Sequence, residues 1–157
     1  MMTRWEQGRT TLDQLLDEER LQKVAPSRQL ADVMIARATT HLATAEAIAD
    51  SDPTAAFQTA YDGARKALVA SIADQGLRTT TSPGAHAVLL EACLAQLDPP
   101  LGATLRHFDW LRRTRSGAEY PALNAPELTA LDVADAIRFA RDIVTVAARV
   151  LDAMPPY

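Results

Sequence analysis

Cys93 is the one cysteine in 157 residues, so no intrachain disulfide and no cysteine-based metal cluster can form. It stands in the apolar run of residues 88–94, where a thiol serves as a small buried hydrophobe. Aromatic residues make up only 5% of the chain and glycines number six. A core must therefore be built from Ala, Leu, Val and Ile, and the alanine-rich composition favours helix. No apolar run reaches the roughly 18 residues of a membrane span. The polar opening, residues 1–8, lacks the apolar stretch of a signal peptide. The expected setting is the cytoplasm, with no membrane partner. Excess positive charge is missing too: the net charge is −4, which argues against coating nucleic acid nonspecifically. His41, His86 and His107 show no metal-ligand spacing. Nor is there a phosphate-cradling glycine loop, a dinucleotide fingerprint or a nucleophile elbow. The sequence therefore gives no reason to expect a metal or a cofactor.

What is present is helical periodicity in one domain's worth of chain. Leu12, Leu15, Leu16 and Val24 predict a leading helix from Thr10 to about Val24, stopped by Pro26. Ser27 is a candidate cap for a second helix reaching about Asp50, whose apolar positions recur at three and four. Asp52-Pro53 joins an N-cap acceptor to proline at the first helical position. Phe57, Tyr61, Ala64, Leu68 and Ile72 then share one face until Gly76. A polar loop is expected over 78–84 and a shorter helix over 85–97. Asp98-Pro99-Pro100 breaks the chain before a helix from about Leu101 that runs into a set of arginines. Residues 116–126 look irregular, and a last helix is expected from Thr129 or Asp132 to about Met154. The sum is an all-α fold, an antiparallel up-down helical bundle of four to five core helices. Residues 1–26 form an N-terminal helical extension and 27–157 the bundle.

Two clusters carry chemical interest. Residues 106–115 hold four arginines against one aspartate, a local +3, which leaves −7 on the rest of a −4 chain. Planar guanidinium forks suit phosphate, although arginines also offset a helix C-terminal dipole. On the central helix, Asp62 lies three residues from Arg65 and four from Lys66, spacings that share one face. This is either a surface ion pair or a carboxylate that orients an arginine of the other cluster. His86 follows Pro83-Gly84 at a helix start, where a structural role and a binding role both fit.

Three stretches taken together resemble the HEPN family: Tyr61-Asp62-Gly63-Ala64-Arg65-Lys66; then Asp74-Gln75-Gly76-Leu77-Arg78 with His86; then Arg112-Arg113-Thr114-Arg115-Ser116-Gly117-Ala118-Glu119-Tyr120-Pro121. The resemblance covers about residues 27–154 and is closest to an actinobacterial-looking branch with an Arg-Asn-x-x-Glu-Tyr-Pro-like signature. It implies a four- or five-helix bundle that forms a homodimer. It also implies metal-independent cleavage of RNA, often as a toxin beside a minimal nucleotidyltransferase antitoxin or in antiphage defence. Arg115 matches the signature arginine. Ser116 stands where asparagine is usual, and Tyr120 stands in place of the signature histidine.

Because RNA supplies its own 2′-hydroxyl nucleophile, such an enzyme needs only a charge stabiliser and proton-transfer groups. Arg115, Glu119 and Tyr120 are the catalytic candidates. Asp62, Arg65, Lys66, His86, Arg112, Arg113 and Ser116 are the binding candidates. Tyrosine ionises near pH 10, a poor base at neutrality, so Glu119 is the alternative base. Three functions are open at this point: an endoribonuclease toxin or defence effector, a non-catalytic nucleotide- or RNA-binding module, and an interaction module that pairs with itself or a nucleotidyltransferase. In the last case Tyr120 is a candidate for adenylylation.

Overall fold

The structure is a computed structural model that describes residues 5–119 and 127–157. Among the described residues the chain is an all-α bundle of six helices with one two-stranded sheet. In order these are α1 (Arg9–Asp17), β1 (Leu21–Lys23), α2 (Arg28–Ile48), α3 (Pro53–Gln75), β2 (Leu77–Thr79), α4 (Ala85–Leu97), α5 (Gly102–Glu119) and α6 (Ala130–Val150). No helix is long and apolar enough to cross a membrane among these residues.

The boundaries follow local chemistry. Ser27 Oγ accepts from the Leu30 amide at 3.0 Å, and Asp52 Oδ1 from the Ala55 amide at 3.1 Å, each satisfying an otherwise orphaned donor. Gly76 ends α3 at φ +83°. A side chain there would meet Val24 O at 2.8 Å and the Pro26 ring at 2.9 Å. Thr129 and Asp132 form a reciprocal capping box at the start of α6.

Three expectations need correction. The leading helix does not reach Val24: α1 stops at Asp17, and Leu21–Lys23 is a strand. The acidic run Asp17-Glu18-Glu19 sits at a helix C-terminus, where negative charge is unfavourable. Extended backbone beyond it lets Leu21 bury and pair with Thr79. The expected loop after Gly76 accordingly begins with β2. Finally, α5 continues through Ser116 and Gly117 to Glu119, so the start of the region read as irregular is helical. Gly117 has open space around it, and the roughly 1 kcal/mol cost of one helical glycine is borne by its neighbours.

α3 is the central element. Ala56, Ala60, Ala64 and Ala67 are fully buried along it, and Phe57, Tyr61 and Phe108 are the largest fully buried side chains. Small residues let helices approach closely. A Cβ on Gly63 would lie 3.2 Å from Ala38 O, which fixes where α2 crosses α3. Leu12, Leu15 and Leu21 lie in the same buried cluster as the bundle, so the leading segment folds back onto it.

Helix direction matters for the site. α2–α3 and α4–α5 are antiparallel hairpins. The bridges from α3 to α4, Tyr61 to His86, Leu68 to Cys93 and Gln75 to Gln96, advance together along both helices. α3 and α4 thus run in the same sense, with β2 and the following loop carrying the chain back. That return brings the start of α4, the end of α5 and the first half of α3 to one end of the molecule.

Candidate functional site

Tyr61 anchors this end. Its ring is fully buried, stacked on Phe108 at 5.3 Å between centroids. A buried phenol needs a hydrogen-bond partner, and it finds one in His86, with Tyr61 Oη 2.5 Å from Nδ1. Burial pushes the Tyr61 phenol up to about 12, against the opposing pull of Arg115 and Arg65. The phenol is therefore protonated at neutral pH. His86 is held below its ordinary value by burial and then by the Arg65 and Arg115 charges, with Asp62 opposing. Two tautomers of a neutral imidazole fit this contact; the one in which Tyr61 O–H donates to Nδ1, with the ring hydrogen on Nε2, gives the buried phenol proton its acceptor.

Above this pair lies a cleft of about 300 Å³ lined by Ser82, Gly84, His86, Arg112, Arg115 and Ser116. The Arg115 guanidinium carbon sits 5.1 Å from the centre of the Tyr61 ring, a cation–π distance. Arg112 is held by Asp109 at 2.8 Å, yet its buried Nε has no hydrogen-bond partner among the described residues. A buried guanidinium N–H left without an acceptor costs about 1–3 kcal/mol.

The other sequence candidates fall around this core. Asp62 pairs with Arg65 at 3.6 Å, one helical turn on. Both lie close enough to perturb Tyr61 and His86. Arg113 is exposed and bonds Asp109, which is held below the usual carboxylate range by Arg113 and Arg112. It does not line the cleft. Lys66 faces the α2 side, where its charge, after burial, lowers the proton affinity of His41. Glu119 is the final residue of α5, one turn past Arg115. Tyr120 lies outside the described residues.

Tyr61 is the residue of the candidate site that sequence reasoning did not single out. The signal was present: a tyrosine on the apolar face of a helix whose aromatic content is scarce, next to an ionisable Asp62. His107, by contrast, stacks on Phe139 at 3.8 Å as part of the α5–α6 packing. Cys93 is buried, with burial raising its thiol to about 12, so it is an inert packing residue.

Taken as chemistry, the cleft offers two guanidiniums, two serine hydroxyls and one imidazole, all able to donate, over a buried phenol. That set fits an oxyanion. Among the described residues no group of three or more His, Cys, Asp or Glu is placed to hold a metal ion. Comparison with protein-family models, with curated proteins and with solved structures found no match for this chain.

Proposed function

We propose that this bundle is a HEPN-like RNA-processing domain whose cleft holds a backbone phosphate while the neighbouring 2′-hydroxyl attacks it. The observation that carries the reading is the convergence of Arg112, Arg115 and His86 on one cleft over the buried Tyr61. In-line attack by the 2′-oxygen places negative charge on the equatorial phosphate oxygens. Guanidinium groups aimed there stabilise that charge. Burial, and after it the Arg65 and Arg115 charges, holds His86 below its ordinary value, and an incoming phosphate offsets those charges. The imidazole then takes up a proton and can donate it to the departing 5′-oxygen. Glu119, one turn past Arg115 on α5, is the proposed base for the 2′-hydroxyl. The chemistry needs no group beyond these side chains and the RNA itself.

The test is cleavage of a labelled RNA in the presence of a chelator. Wild type is expected to yield 2′,3′-cyclic phosphate ends. Arg115→Ala should lose about two to three orders of magnitude, the usual loss for a removed oxyanion donor. Undiminished cutting by Arg115→Ala would discard the reading. A homodimer and a minimal nucleotidyltransferase partner belong to the same proposal. Sedimentation of the purified chain, alone and with a nucleotidyltransferase encoded beside it, tests both.

One observation favours a second reading, a module that holds RNA or a nucleotide without cutting it. In the tautomer that accepts the Tyr61 O–H at Nδ1, the other ring nitrogen carries a hydrogen and not a lone pair, which suits holding an anion better than abstracting a proton. Salt-dependent binding with the RNA recovered intact would establish that reading.

A further inference from the structure

A second group of cations lies where α2 crosses α3. α2 crosses α3 at Gly63, where a Cβ would meet Ala38 O at 3.2 Å and His41 Cβ at 3.6 Å. The crossing sets His41, and Arg37 one turn before it, beside Asp62, Arg65 and Lys66 of α3. Arg37 is exposed, and His41, Arg65 and Lys66 are half-buried. Arg65 in turn lies one turn from Tyr61 on α3, and the Tyr61 ring carries Arg115 at 5.1 Å. The cations therefore follow one another from α2 over α3 to α5: Arg37, Lys66, Arg65, Arg115, Arg112.

The anions along this path are already engaged. Asp62 is paired with Arg65, and Asp109 with Arg112 and Arg113. Burial, followed by the Arg65 and Arg37 charges, lowers the proton affinity of Lys66 against the pull of Asp62. Burial and then Lys66 do the same to His41. Lys66 and His41 thus sit among more positive than negative neighbours, with Asp62 the one opposing charge on each. In a chain of net charge −4, such a gathering is a local exception that an anionic ligand would relieve.

We infer that Arg37, Arg65 and Lys66 form a second phosphate subsite, and that the ligand is a single RNA strand whose backbone runs from the Arg112–Arg115 cleft across the Tyr61 end of α3 to α2. This rests on the reading that the cleft takes an RNA phosphate. One cation or pair of cations comes from each of three helices, a small number of contacts that suits one phosphate chain. His41, neutral amid these charges, adds a polar contact without adding charge.

The experiment uses 2′-O-methyl RNA, which cannot be cut, as a labelled twelve-nucleotide strand and as a dinucleotide. Binding to the full chain is followed by fluorescence anisotropy over a range of salt. For a single strand, every phosphate that a side chain no longer neutralises lowers the slope of log K against log salt by about 0.7. Arg37→Gln with Lys66→Gln should reduce that slope by about 1.4 for the long strand and weaken it roughly 25-fold at 0.1 M salt. Dinucleotide binding should stay unchanged. Arg115→Ala should weaken both ligands. Arg37→Gln alone, at an exposed position, should lower the slope by about 0.7 and serves if the double variant melts early. Unchanged long-strand affinity and slope in both Arg37 variants, with Arg115→Ala still weakened, would overturn the second subsite and leave the cleft reading standing. Equal affinity for a duplex of the same length would overturn the single-strand assignment. A wild-type chain that binds neither oligonucleotide would overturn both readings together.

Discussion

Gln75 and Gln96 bridge α3 and α4 at one end of their shared interface; Tyr61 and His86 bridge them at the other. The glutamine pair is reciprocal and closed. Gln75 Nε2 donates to Gln96 Oε1 at 2.6 Å, Gln96 Nε2 donates back at 2.9 Å, and Gln96 also donates to Ala92 O at 3.3 Å. Both side chains are buried, neutral and surrounded by apolar groups. Their backbones hold the chain's outer segments as well: Tyr157 N donates to Gln75 O, and Trp5 Nε1 to Gln96 O. The tyrosine–histidine pair has the same topology and the opposite character. Its members titrate, guanidiniums crowd it, and its histidine opens on a cleft. A satisfied neutral pair locks two helices together. A titratable pair with one open edge and several guanidiniums around it is where a ligand can act.

The largest difference between the ends should appear in stability. Gln75→Leu or Gln96→Leu alone strands a buried amide and is expected to cost about 1–3 kcal/mol, read from urea unfolding. The double leucine variant removes both partners at similar volume and should recover most of the loss. Additive losses would show that the amides do not act as a closed pair. At the other end, Tyr61→Phe removes one hydrogen bond from His86, which can turn to solvent. A cost of about 0.5–1.5 kcal/mol is expected, with the His86 ring hydrogen no longer confined to Nε2 in nitrogen-15 spectra.

The ends should also part company with pH. The folded protein depresses the proton affinity of His86 and His41, so the unfolded chain binds those protons first. Their contribution is intact above the ordinary histidine value of about 6.5 and is lost as pH falls below it toward the depressed folded values. Urea midpoints should decline on acidification through that window, and His86→Gln with His41→Gln should flatten the decline. The glutamine variants should leave its shape unchanged. Smallest of all is the exposed Glu46–Arg141 pair. Glu46→Gln should shift stability by less than about 1 kcal/mol, and the shift should vanish at high salt.

The sequence made α3 legible end to end, because Asp52-Pro53 and Gly76 are backbone-specific signals that tertiary packing does not override. The bounds of α4 were equally plain from Pro83-Gly84 and Asp98-Pro99. The two three-residue strands were not, since each owes its form to the other: Leu21 pairs with Thr79 and Lys23 with Leu77, pairings that no local window contains. Ser116 and Gly117 read as the start of irregular chain because propensity is local, whereas α5 keeps its direction as the second arm of the α4–α5 hairpin. At the site, Arg112, Arg115, Ser116 and His86 were visible as residue types, and they share the cleft. Their relation to Tyr61 was not visible. It depends on α4 running alongside α3 in the same direction, a consequence of the β2 return. Arg113 shows the converse. Its charge groups it with its neighbours along the chain, but helical phase turns it to solvent and Asp109.

The most direct measurement is the titration of His86 by NMR, with and without inorganic phosphate. If an anion occupies the cleft, it offsets the Arg65 and Arg115 charges, and the His86 midpoint should rise toward or above the ordinary histidine value. A His86 midpoint that does not move at saturating phosphate would contradict the claim that this cleft is built for a phosphate.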